Sequence, residues 1–319
     1  MSEKLRLELD ASQIKTFLKC PMQWYYEYNQ RITNKSEDSK RPMNMGTYGH
    51  TRLQKFYELR AENYDFKTAN HMAVNMAETN EEVLMLPNDA DRLTVLTGVM
   101  GHNAKYKSND IIPLNKDAVE VGFSIPLFES ATRQYIICGR TDVIGTLQGL
   151  TVIMDHKFQL RESYIFNREI QFKTYIYAMN RELGPVLGPI TTFVVNYIRL
   201  TKGYTETTYK RDLISFNYDE IELWGERLIR IFDKVADFLQ YEKWNNDDSH
   251  NWAMCGDQKY GSGICEFAQI CNAPSKAASQ EKLQLYRIKP AWTPWKKEEK
   301  EVKDEITNVS TVPTLSVSE

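Results

Sequence analysis

Nowhere does the sequence run to the roughly 18 consecutive apolar residues that a membrane-crossing helix needs, and its charged N-terminus lacks the apolar core of a secretory leader. The expectation is an intracellular protein without a membrane partner. Cysteine is scarce, with five in 319 residues. That is too few, too unevenly placed, for a disulfide framework. Neither sign of charge is in large excess, and the formal net charge of −3 excludes a protein that coats nucleic acid by bulk electrostatics. A local basic channel holding cations inside an acidic molecule stays open. There is no internal repeat. What is present is ordinary for a globular chain, 42% hydrophobic and 12% aromatic, with length for one large domain or two modest ones.

The first hundred or so residues read as helical. Ser12 is placed to cap a helix over Gln13–Lys19, and Pro21 to open another reaching Gln30. Residues 32–44 read as a loop. A helix from about Met45 to Arg60 buries Leu53, Phe56 and Tyr57, and two more are expected near 66–85 and 89–107. The pattern then changes. Residues 117–126, 133–146 and 150–158 are strands rich in Val, Ile and Thr. A helix over 163–183 carries the stripe Ile165, Phe172, Ile176, Met179 and Leu183, followed by strands near 189–200 and 204–212 and a helix over 217–242. The order β-β-β-α-β wrapped by helices indicates an α/β core with a central mixed sheet. Residues 1–272 are expected to form one domain: a helical part to about 110, an α/β core over about 115–245 and a Cys-rich segment at 250–272. Beyond lies an extension whose Lys/Glu run at 296–304 and Thr/Ser-rich end read as a solvated tail, with Trp292 and Trp295 packing back just before it.

Three short patterns carry chemistry: Gly139-Arg140-Thr141-Asp142, Asp155-His156-Lys157, and Gln171 with Tyr175 four residues on. Strand alternation puts Arg140 with Asp142 on one face, and Asp155 with Lys157 on one face. Two carboxylates and a lysine then meet at one sheet edge. Phosphodiester hydrolysis needs an activated water and relief of charge on phosphorus, which one or two Mg²⁺ ions fixed by carboxylates supply. Asp142 and Asp155 are the candidate ligands, and the His156 backbone carbonyl is a further one, its side chain turned to the opposite face. Lys157 is placed to orient the water or stabilise the phosphate. Gln171 and Tyr175 share a helix face with Arg168 one turn earlier, a face suited to the substrate strand. Glu120, on the preceding strand, is a further acidic candidate.

Together these patterns resemble the RecB-like branch of the PD-(D/E)XK nuclease superfamily over about residues 12–272. Gly46-Thr47-Tyr48-Gly49-His50 matches that branch's upstream histidine motif. The resemblance implies a restriction-endonuclease-like fold and a metal-dependent deoxyribonuclease in which His50 joins the ligands; an imidazole inclines the site from Mg²⁺ towards Mn²⁺. It also implies DNA as partner, single-stranded or with free ends, in a bacterial or phage-infected cytoplasm, with roles in recombination, repair or phage DNA metabolism. No helicase motif is present, so unwinding would fall to a helicase or recombination partner. Cys20 near the start and Cys255, Cys265 and Cys271 near the end are similar to the 4Fe-4S staple of AddB-type and CRISPR-associated RecB-like nucleases. The ten-residue step from Cys255 to Cys265 departs from that pattern, and a structural zinc site is the rival. Cys138, in an apolar strand, stands apart. An exonuclease is the leading reading, an endonuclease the second. A non-catalytic DNA-binding subunit is weaker, because Asp142, Asp155 and Lys157 are all retained.

Overall fold

A computed structural model describes residues 4–33, 40–160, 169–200, 209–240, 265–291 and 293. The chain opens on a strand, β1 (Leu5–Leu9), then α1 (Ala11–Lys19) and α2 (Pro21–Trp24), which runs into a π-helical turn at Tyr25–Asn29 before β2 (Ile32–Thr33). Next come α3 (Arg41–Ala61), α4 (Phe66–Val74), α5 (Asn80–Met85) and α6 (Asp89–Tyr106). The sheet strands follow as β3 (Ile112–Pro113), β4 (Val119–Glu129), β5 (Arg133–Leu147) and β6 (Leu150–Gln159). Then come α7 (Glu169–Glu182), α8 (Gly184–Leu187), β7 (Thr192–Arg199), β8 (Tyr209–Ser215) and α9 (Tyr218–Gln240). The last elements are α10 (Ala268–Cys271), α11 (Lys276–Leu283) and β9 (Arg287–Ile288).

The central sheet has seven strands and mixed directions. β6 and β7 run parallel, as do β1 and β5, while β4–β5, β5–β6 and β7–β8 are antiparallel. One core lies between the sheet and α1, α7 and α9, around Phe172, Ile176, Phe193, Leu228 and Phe232. A second lies on the opposite face under α3, α4 and α6, around Phe56, Val95, Met154 and Val194. Burying each such side chain stabilises the fold by about 1.5–3 kcal/mol, so both faces are firmly covered.

β5 organises the whole. β4 follows one of its edges from Gln134 to Val143. β1 and β6 share the other edge, β1 against Arg133–Ile137 and β6 against Val143–Leu147. Residues 138–142 face neither, so the sheet forks there. β4 also carries a bulge: Pro126 pairs with Ile136 and Phe128 with Tyr135, leaving Leu127 extra.

The sequence reading differs in several places. The N-terminal part is not wholly helical, since the Leu5/Leu7/Leu9 alternation forms β1. Asp10, not Ser12, caps α1, its Oδ1 accepting from the Ser12 and Gln13 N–H groups at 2.7 and 2.8 Å. The helix expected over 66–85 is two, because Thr79 and Glu82 form a reciprocal capping box that starts α5 afresh. The strand expected at 204–212 is found at Tyr209–Ser215. Beyond residue 273, β9 pairs with β2 and ties this segment to the domain. Trp292, Trp295 and the tail from 296 lie outside the described residues.

Candidate active site

The antiparallel ladder between β5 and β6 ends at Val143–Met154. Asp142 and Asp155 are the next residue on each strand, so they stand across the mouth of the fork. Alternation turns Asp155 towards the α7 side, whereas Asp142 is met by His50 from α3; both carboxylates are buried. The His156 N–H bridges the fork, donating to Asp142 Oδ2 at 2.5 Å.

Glu120 completes the acidic set. The pairs Val119–Val143 and Val121–Thr141 place it opposite Asp142. Its φ of 53° lies in the left-handed region, which costs a non-glycine residue about 1–3 kcal/mol and is typical of functional positions. Arg140 Nη1 lies 3.5 Å from its carboxylate. From α3, His50 brings Nδ1 to 3.3 Å from Asp142 Oδ2. The approach depends on Gly49: a Cβ there would lie 2.3 Å from the Phe158 ring of β6. Gly139 plays a similar part, since a Cβ would meet Phe123 at 2.4 Å and Tyr175 at 3.1 Å.

Among the described residues, His50, Glu120 and Asp142 form a group whose ligand atoms all lie within 4.8 Å of one another. This refines the expectation of an Asp142–Asp155 ligand pair. Asp155 instead meets Lys157, with Nζ to Oδ2 at 2.5 Å, and accepts from Gln171 Nε2 at 3.1 Å. Gln171 also bonds to Tyr175. Tyr175 was expected on a substrate face, but it is buried against Phe123 and Phe193. The His156 side chain does face the opposite side, buried among Tyr57 and His102. Arg168 lies outside the described residues.

The electrostatics fit a cation. Burial and Asp142 push Glu120 up to about 7. Burial likewise raises Asp155, with Lys157 opposing and Asp142 adding to the rise. Burial works against the charged form of Asp142, yet His50 and Lys157 hold it well below the usual carboxylate range. Burial would lower His50, but Asp142 outweighs it and sets a value of about 9. Glu120 and Asp155 resist ionisation beside the charged Asp142, a repulsion that a divalent cation relieves.

Cys20, just past α1, is buried in the main core, and Cys265 and Cys271 pack beside Phe267 and Ile270. Tyr26 and Tyr286 flank Phe267, at ring distances of 5.4 and 5.9 Å. Cys255 lies outside the described residues, and Cys138 is buried elsewhere, 3.7 Å from Ser124 Oγ.

Sequence reasoning ranked Glu120 too low and missed the fork itself. Both depend on strand register.

No helix among the described residues is long and apolar enough to cross a membrane. No curated protein matches the chain. Two solved structures are similar at 12% identity. The protein SSO0001 matches with a TM-score of 0.37, over 86% of this chain and 90% of its own. A candidate exonuclease from Eubacterium rectale matches with a TM-score of 0.42, over 81% and 94%. The sequence itself matches the PD-(D/E)XK nuclease superfamily over residues 8–272, a span that holds all of the central sheet except the start of β1, together with the fork and Glu120, Asp142 and Asp155, and the chain belongs to that superfamily.

Proposed function

We propose that the chain is a metal-dependent DNA exonuclease of the RecB-like branch, using Mg²⁺ or Mn²⁺ in recombination, repair or phage DNA metabolism. The observation that carries this reading is the convergence of His50, Glu120 and Asp142 at the fork, with the Asp155–Lys157 pair beside them. These three side chains would hold the cation, and Asp155 and the His156 carbonyl would add to its shell. A strand residue's C=O leaves on the same side as its N–H, so the His156 carbonyl shares the side that bonds Asp142. When bound, the cation supplies an acidified water and charge relief at phosphorus. Lys157, held against Asp155, orients the attacking water and faces the negative charge that grows on the phosphate oxygens. Gln171 fixes the second oxygen of Asp155 and is propped by Tyr175, so both serve the geometry of the site.

Cys20, Cys265 and Cys271, with Cys255, are assigned to a 4Fe-4S cluster that clips the first helices to the last segment and closes a long loop. Elemental analysis of anaerobic protein separates this from zinc.

The test is digestion of end-labelled linear and covalently closed DNA, single- and double-stranded, with either metal. Linear DNA lost while circles persist is the expected result. Rapid cutting of single-stranded circles moves the reading to an endonuclease. DNA bound and never cut would make the chain a non-catalytic subunit.

A further inference from the structure

The face of the sheet under α3 and α6 should be apolar, and most of it is. Beneath the fork, however, sits a closed ring of buried polar groups. His156 is 1% exposed, and its imidazole stacks on the Tyr57 ring at 5.5 Å and 27°. Its Nδ1 lies 3.4 Å from Nδ2 of Asn196, the residue beside it in register on β7. Asn196 Oδ1 accepts from Arg211 Nε at 2.7 Å, again its register neighbour, on β8. Arg211 Nη2 donates to Asp110 at 3.0 Å, and its guanidinium lies 3.9 Å from the Tyr106 ring centre. Asp110 accepts from the Tyr57 hydroxyl at 3.1 Å, which returns the chain to His156.

Stability alone does not call for such a ring. Apolar side chains of similar volume would serve a core at least as well, whereas polar groups hold one arrangement and penalise others. The residue they surround is the telling one. His156 separates Asp155 from Lys157, and its N–H is the bridge to Asp142. A ring turned in its pocket would tilt that peptide and open the fork.

We propose that Tyr57, Asp110, Asn196 and Arg211 are positioning residues that clamp the His156 imidazole under α3 and thereby fix the spacing of Asp142 and Asp155. The functional consequence rests on the nuclease reading above; the clamp itself is a separate claim.

The test uses the full chain with Tyr57→Phe, which keeps the stacked ring and removes only the hydroxyl, with its bond to Asp110 and its weaker one to Met154 Sδ, and Asn196→Leu. Thr192→Val is the control, because it removes a buried hydroxyl from the same strand outside the ring. Three quantities are read: amide exchange at His156 in metal-free protein, Mn²⁺ affinity by calorimetry without DNA, and kcat against KM on linear DNA. In both ring variants, exchange at His156 should quicken, Mn²⁺ affinity fall by about tenfold to a hundredfold, and kcat fall similarly with KM unchanged, the loss usual when a partner orienting a ligand is removed. The control should change none of these. Unaltered His156 exchange and Mn²⁺ affinity in Tyr57→Phe, or equal losses in Thr192→Val, would overturn the proposal. If Asn196→Leu does not fold, Tyr57→Phe decides alone. If the wild-type chain cuts no DNA, the nuclease reading fails, and His156 exchange still judges the clamp.

Discussion

Glu120→Gln should make the metal-free protein more stable while damaging its site. The change keeps the shape of the side chain and removes a charge that the fold holds at a cost. Glu120 rises from an ordinary 4.5 to about 7 because burial and Asp142 both oppose its ionisation. The sign follows directly. Below 4.5 the group is protonated in both folded and unfolded chains and costs nothing. Between 4.5 and about 7 the unfolded chain releases its proton and the folded one does not, so stability falls; above 7 the penalty is complete. A rise of that size corresponds to about 3 kcal/mol, a ceiling for a side chain that is 16% exposed. The melting temperature of a chain this large should then rise by about 5–10 °C in the variant. The assay is thermal unfolding in chelator across pH 5–8, repeated with Mn²⁺. The variant should lead at pH 8, the lead should shrink towards pH 5, and Mn²⁺ should raise the wild type far more than the variant. A variant that melts below the wild type in chelator at pH 8, or a gap indifferent to pH, would refute the reasoning.

Asp142→Ala, Asp155→Ala and Lys157→Ala should each lower DNA cleavage by orders of magnitude while circular dichroism stays native; full activity in Asp155→Ala would sink the mechanism. Gly49→Ala should force Phe158 or α3 aside, costing about 1–3 kcal/mol of stability and weakening Mn²⁺ binding through displaced His50, both measurable without DNA. Cys20→Ser and Cys271→Ser should lower stability and iron content more than Cys138→Ser does, because only the first two are among the proposed cluster ligands; equal effects from all three would remove the staple.

Much of this site was legible because alternation within one strand needs no partner. Asp142 with Arg140, and Asp155 with Lys157, follow from period two alone, and the stripe Phe172, Ile176 and Met179 correctly gave α7 its buried face. What escaped were facts about pairs of strands. That Asp142 and Asp155 are the first unpaired residues of a fork is set by where a ladder stops, which no single segment encodes. β1 escaped because five residues in a helical neighbourhood are a weak signal, although its alternation was there to see. Tyr175 shares the polar side of Gln171 by spacing, yet Gly139 leaves a space that draws its ring inward. The polar ring around His156 joins residues from α3 to β8 and could not be read from any one of them.

The bulge at Leu127 has a consequence for how this chain can change over time. Below it β4 is out of step with β5 by one residue; above it the strands stand in the phase that sets Glu120, rather than Val121, against Asp142. One residue lost anywhere between the bulge and Glu120 would turn a valine towards Asp142 and send the glutamate elsewhere, because a single step exchanges the two faces of a strand. A residue lost from the turn between β4 and β5 threatens the same slip. The hairpin therefore behaves as a counted message. Letters within it can be replaced, but its count from bulge to acid cannot drift, and descendants of this chain should vary in the composition of β4 long before they vary in its length.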